Sequence, residues 1–168
     1  MKKILVTGGA GFIGSHLIDR LLMEGNQVYC IDNFILGSID NLEKAKDNKY
    51  FKIYNADLLV LEDIDEIFNK ERFDIVYHLA ANSDVKEGAR TTSRDLNLTF
   101  MTTYNILECM KKHNVNNLIF TSTPAVFGNK SEPLVEEMIA NPESLYGASK
   151  LSSEFFIKTF SNLYGINC

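Results

Sequence analysis

Met1-Lys-Lys-Ile-Leu-Val-Thr7 runs straight into Gly8-Gly-Ala-Gly11-Phe-Ile-Gly14, and Ser15-His-Leu-Ile-Asp-Arg-Leu-Leu-Met23 follows. The first stretch is a short apolar run with β-branched residues, the pattern of a buried strand, and the last carries apolar residues at helical spacing. Strand, glycine turn and helix therefore come in that order. Glycines at G-x-x-G-x-x-G spacing allow a tight turn, let backbone amides approach a pyrophosphate and let helix pack on strand with no Cβ between them. Gln27-Val-Tyr-Cys-Ile-Asp32 is a second apolar strand ending in a carboxylate, about 18 residues after Gly14. That is close to the offset at which an acid accepts from the adenosine ribose hydroxyls. The three features in register point to dinucleotide binding. Asp32 favours NAD over NADP, because a carboxylate repels a 2′-phosphate and Asn33-Phe-Ile-Leu-Gly37 offers no Arg to accommodate one.

Beyond this unit, apolar strand patterns recur at Tyr50 to Asn55, Asp74 to Leu79 and Asn117 to Ser122. Helical patterns alternate with them at Leu61 to Lys70, Arg94 to His113 and from Tyr146 onward. Such alternation implies right-handed crossovers and an α/β, Rossmann-like, doubly wound parallel sheet of about five strands, covered by helices on both faces. Its ligand belongs beyond the carboxyl ends of the strands, where the strand order switches. Gly11, Asp32, Asp57, Ala80 and Thr123 all fall at such ends. With 168 residues, 45% hydrophobic, and no repeat or linker, one domain over 1-168 is the economical reading.

A net charge of −5 and the lack of any basic cluster argue against a nucleic-acid partner. No apolar stretch approaches the roughly 20 residues of a membrane span, and the N-terminus enters a strand at once, so a cytoplasmic protein without a membrane partner is expected. Cys30, Cys109 and Cys168 are odd in number and lack ligand spacing, which makes them reduced thiols. His16, His78 and His113 lie far apart and suggest structural roles, with no metal site; His113 stands where a cation meets the negative end of a helix dipole.

Tyr146-Gly-Ala-Ser-Lys150 places a phenol and an ammonium one helical turn apart on one face. Alone, such a pair is ordinary helix surface. Beside a nicotinamide it suits proton transfer, since a free tyrosine titrates near 10 and a neighbouring cation lowers that value.

Thr7-Gly-Gly-Ala-Gly-Phe-Ile-Gly14, Asp32-Asn33, Asp57-Leu58, His78-Leu-Ala-Ala81, Ser122-Thr-Pro-Ala-Val-Phe-Gly128 and Tyr146-Gly-Ala-Ser-Lys150 together resemble the extended short-chain dehydrogenase/reductase family. The resemblance spans the whole chain. Within the family it looks most like the UDP-glucose 4-epimerase-like, NAD-dependent nucleotide-sugar epimerases. The resemblance implies that Gly8, Gly11, Phe12, Ile13 and Gly14 surround the pyrophosphate and that Asp32 and Asn33 hold the adenosine ribose. Asp57 and Leu58 would border the adenine, and Leu79, Ala80, Ala81 and Ser83 would line the nicotinamide side. Counting without gaps from Ala81 puts a further cofactor contact at Thr99, with Asn97 as the alternative. Thr123 would hydrogen-bond a substrate hydroxyl, Tyr146 would be the acid/base, and Lys150 would hold the nicotinamide ribose and acidify the tyrosine.

The implied reaction takes the proton and hydride from a sugar C4 to give a 4-keto sugar, then returns the hydride to the other face. A 4,6-dehydratase is the alternative, but the family's dehydratases carry Asp-Glu where Pro124-Ala125 stand here. Phe127 also replaces the usual tyrosine. Family members continue for well over a hundred residues into a substrate domain absent from this chain. A non-catalytic NAD-binding module is therefore a further alternative, and the fifth strand is expected to present an unpaired edge. Two long helices pairing with their copies would give a homodimer, with some of Phe155, Phe156, Ile157 and Phe160 facing the partner.

Overall fold

The structure, a computed structural model, describes residues 1–168. Its strands are β1 (Lys3–Thr7), β2 (Gln27–Asp32), β3 (Phe51–Asn55), β4 (Ile75–His78) and β5 (Leu118–Phe120). All are parallel, in the order β3-β2-β1-β4-β5. The chain winds outward from β1 to β3 and then returns to β1's other side with β4. The order therefore reverses between β1 and β4, and their carboxyl ends diverge there into a crevice.

Period-two alternation explains the two layers. Ile4, Val6, Val28 and Cys30 pack on α1 (Phe12–Met23) through Ile18 and Leu21, while Leu5, Tyr29, Ile31 and Val76 belong to the larger core on the opposite face. That larger core is closed by α2 (Leu61–Glu71), α5 (Thr102–Lys112) and α6 (Leu145–Tyr164), with Phe68, Ile106, Met110, Ile157 and Phe160 pointing inward. Both faces are covered, as the sequence pattern requires. Cys30 and Cys109 are small core residues whose thiols burial pushes up to about 12. No helix is long and apolar enough to cross a membrane.

Three details differ from the sequence reading. A short helix, α3 (Val85–Arg90), was not expected, although Asp84-x-x-Glu87 is a capping pattern: Asp84 Oδ1 accepts from the Glu87 amide at 3.0 Å. The expected helix over 94–113 is α4 (Ser93–Asp95), a π-helical stretch Leu96–Met101, and α5. In that stretch the Thr102 hydroxyl donates to the Leu98 carbonyl at 3.0 Å and the Thr103 hydroxyl to the Thr99 carbonyl at 2.7 Å, the kind of side-chain capture that accompanies a widened turn. The outer edge of β5 is not wholly unpaired either. The Leu118 amide donates to the Asn167 carbonyl and the Asn167 amide to the Asn116 carbonyl, each at 2.8 Å, while Ile166 is buried beneath them.

At the opposite end of the sheet from the crevice, the Glu71 carboxylate takes Lys52 Nζ at 2.7 Å and the Tyr54 hydroxyl, and Lys3 Nζ reaches the Glu71 carbonyl at 2.9 Å. Burial alone would raise the carboxyl, but the bonds from Lys52 and Tyr54 hold it below its ordinary value. This ties α2 to β3. Replacing Glu71 with Ala is expected to cost about 2–3 kcal/mol at pH 7, because two donors lose their acceptor. A depressed carboxyl stabilises the fold above its unfolded pKa, and that contribution is lost as pH falls through the folded value. Chemical denaturation should show the gap between wild type and Glu71→Ala narrowing below about pH 4.

Candidate active site

Gly8 follows β1 at φ +67°, a conformation that side chains rarely adopt, and a Cβ there would stand 2.7 Å from the Ala80 nitrogen. Strand ends β1 and β4 approach so closely that only a bare backbone fits. The chain then enters α1 with no side-chain cap and no acid in the first turn, which leaves the amides behind exposed Phe12 and Ile13 facing the crevice. Unpartnered amides and the helix dipole together attract an anion.

Asp32 closes the far side of the turn. Its Oδ2 accepts the Ala10 amide and its Oδ1 the Phe34 amide, both at 2.9 Å, so it shapes the glycine loop as well as lining the crevice. Asn41 Nδ2 donates to the Ala10 carbonyl at 2.7 Å and pins the same loop from the β2–β3 connection.

The crevice measures about 500 Å³, within the range of small-molecule sites. Gly8, Gly11, Phe12, Ile13, Gly14, Asp32, Asn33, Asp57, Leu58, Leu79, Ala80, Ala81 and Ser83 all line it. Its only charged side chains are Asp32 and Asp57; no Lys or Arg is present. A dinucleotide with a free 2′-hydroxyl fits that lining, and a 2′-phosphate does not.

Thr99 is a correction. It is fully buried, its Oγ1 accepts the Asn82 amide at 3.1 Å, and the π-helical register turns Leu98 and Thr102 to the crevice instead. Asn97 is exposed and lines nothing there. Counting residues from Ala81 could not reveal this, because one widened turn shifts the phase of everything after it.

Thr123, Tyr146 and Lys150 lie around the segment that follows β5, outside the main crevice lining. Thr123 caps the short turn Pro124–Phe127 by accepting the Ala125 amide at 3.2 Å. Tyr146 lies in the first turn of α6, which Ser144 caps by accepting the Gly147 amide at 3.0 Å. A Cβ on Gly147 would sit 2.5 Å from the Ala125 carbonyl, so this glycine is what lets the tyrosine turn press against the Thr123 turn. The Thr123 hydroxyl stands close enough to the phenol to favour its charged form.

Lys150, one turn on, is almost fully buried. Its Nζ donates to the Thr121 carbonyl at 2.7 Å and lies 4.4 Å from the centre of the Phe120 ring. Burial pulls this ammonium down to about 8, with Glu154 opposing. The expected acidification of Tyr146 by Lys150 is not found. Burial, and then the negative charge of buried Asp95, raise the phenol above its ordinary value, and only the Thr123 hydroxyl lowers it. Asp95 carried no sequence signal, being one acid among 22.

A parallel sheet that switches direction beside a glycine turn, with a Thr-Tyr-Lys set at its rim, places the chain among the extended short-chain dehydrogenases/reductases. Within them, the family model described as GDP-mannose 4,6 dehydratase matches residues 5–168, and the chain belongs to that family. A putative UDP-glucose 4-epimerase of Methanocaldococcus jannaschii is 38% identical over 165 residues, covering 97% of this chain and 52% of the relative. The UDP-Glc/GlcNAc 4-epimerase of Campylobacter jejuni superposes with a TM-score of 0.92 at 32% identity, over 96% of this chain and 50% of that one. The NAD complex of UDP-glucose 4-epimerase from Thermus thermophilus gives 0.90 at 32%, over 98% and 52%. The chain thus spans about half the length of the curated relatives it matches.

Lys150 generates a stability prediction. An unfolded lysine titrates near 10.4 and this one at about 8, so below pH 8 both states are charged and the fold carries the whole burial cost. Lys150→Met should stabilise the chain at pH 7 by about 2 kcal/mol, after allowing for the lost bond to Thr121. Denaturant titrations should show that gain fading as pH rises from 8 towards 10.

Proposed function

We propose that this chain is the NAD-binding and proton-transfer part of an NAD-dependent nucleotide-sugar 4-epimerase acting on a UDP-sugar. The nearness of the Thr123 hydroxyl to the Tyr146 phenol, beside a nucleotide crevice without Lys or Arg, carries the reading. The glycine turn and the α1 amides would bind the pyrophosphate, Asp32 and Asn33 the adenosine ribose, and Leu79 to Ala81 with Ser83 the nicotinamide side. NAD, when bound, would supply the hydride acceptor for the sugar carbon. Thr123 would orient the C4 hydroxyl, and Tyr146 would take its proton and later return it. Because Asp95 and burial hold the phenol protonated, a positive charge arriving with the ligands is what would release it. Lys150 would hold the nicotinamide ribose through the donors left after its bond to Thr121.

Epimerisation is favoured over 4,6-dehydration, whatever the family description, because Pro124 and Ala125 offer no acid or base next to Thr123. A homodimer through α5 and α6 belongs to the same proposal. Phe155 and Leu163, eight residues apart on one helical stripe, are 62% and 66% exposed, beside the edge-to-face pair Phe100–Phe156. Ile157 and Phe160 face the core instead.

Titration should show NAD binding to the wild-type chain at least about tenfold tighter than NADP. Incubation with UDP-glucose should produce UDP-galactose, and Tyr146→Phe should slow this by about 10²–10⁴-fold. No NAD binding overturns the cofactor assignment; binding without conversion leaves a non-catalytic NAD-binding module. Light scattering should give twice the chain mass, reduced to one chain by Phe155→Asp with Leu163→Asp.

A further inference from the structure

His78 ends β4, is fully buried, and has no task in the chemistry above. Its Nδ1 lies 2.6 Å from the Thr7 hydroxyl and its Nε2 3.0 Å from the Thr103 hydroxyl. Proton counting settles the ring. Thr103 has one hydroxyl proton and gives it to the Thr99 carbonyl at 2.7 Å, so Thr103 Oγ1 can only accept from His78. Nε2 therefore carries the ring proton. Nδ1 is left as the acceptor for the Thr7 hydroxyl, whose oxygen in turn accepts the Ala80 amide at 3.3 Å. A second ring proton would leave the Thr7 hydroxyl without an acceptor.

One end of this chain of bonds, and the face of the His78 ring, reach towards the active helix. Ser153 of α6 places its Oγ 3.3 Å from Thr103 Oγ1. On the other side the His78 ring stacks on Phe120, centroids 5.9 Å apart, and Phe120 presents its face to Lys150. We propose that His78, held as the neutral Nε2–H tautomer, is a positioning residue that links the crevice wall at Thr7 and Ala80 to α6 through Thr103 and Phe120, and so sets where Tyr146 and Lys150 stand. Burial, followed by the charge of Lys150, pulls the imidazole down to about 3, which keeps the ring neutral across the physiological range. The positioning role rests on the NAD-binding reading; the tautomer does not.

Long-range proton–nitrogen correlation of the imidazoles should show one ring with the Nε2–H pattern, unchanged between pH 5.5 and 8 and missing in His78→Gln. A His78 ring that titrates in this window, or carries its proton on Nδ1, overturns the proposal. The second arm uses Thr103→Val, which keeps the volume but removes the oxygen. It should weaken NAD by about tenfold, the worth of one good hydrogen bond, while ADP-ribose, which lacks the nicotinamide, changes by less than about twofold. His78→Gln offers an adjacent acceptor and donor and should stay within about threefold of wild type for both ligands. Equal loss of both ligands in Thr103→Val, or no loss, overturns the positioning role. Failure of the wild-type chain to bind NAD overturns the cofactor reading instead, and the tautomer measurement still decides the state of His78.

Discussion

At Gly8 the backbones of β1 and β4 come so close that a single Cβ would collide with Ala80. Everything else about the site follows from that approach. It occurs where the strand order reverses, so crossovers leave in opposite directions and cannot fill the gap. The gap is then floored by backbone and edged by a helix start that no side chain caps. Asp32 and Asn41 spend hydrogen bonds on Ala10, which keeps the loop in the shape that exposes those amides.

The second centre is built at a cost in stability. Lys150 is an ammonium buried with one carbonyl and one ring face for company, and Tyr146 lies within the field of a buried carboxylate. Neither arrangement favours the ligand-free fold. Perturbed titratable groups of this kind cluster at functional sites, while apolar packing and the Glu71 network hold the rest of the fold. A bound cation would relieve the phenol.

Between the two centres runs a polar chain of Thr7, His78, Thr103 and Ser153, each satisfied, through an otherwise apolar sheet. Buried hydrogen-bonded groups tolerate little displacement, since any slip leaves a donor or acceptor unpaired in a low dielectric. Two helices and two strands are thereby held in one relative position where apolar packing alone would allow sliding.

Strand and helix periods, the glycine turn and the acid at Asp32 were legible in the amino-acid order, because each depends on neighbours within a few residues. The five strands follow from those local patterns, whereas most of the crevice positions came from the resemblance of the motifs to a family. The misplacement of Thr99 arose differently: a π-helical turn depends on which carbonyls the Thr102 and Thr103 hydroxyls capture, and that is decided by packing. Tyr146 and Lys150 were visible as a pair, yet their protonation was not. A pKa is set by burial and by charges distant in sequence: burial and then Asp95 for the phenol, burial for the ammonium. Local order thus dictated which groups the site contains, and three-dimensional packing dictated their electrostatic state.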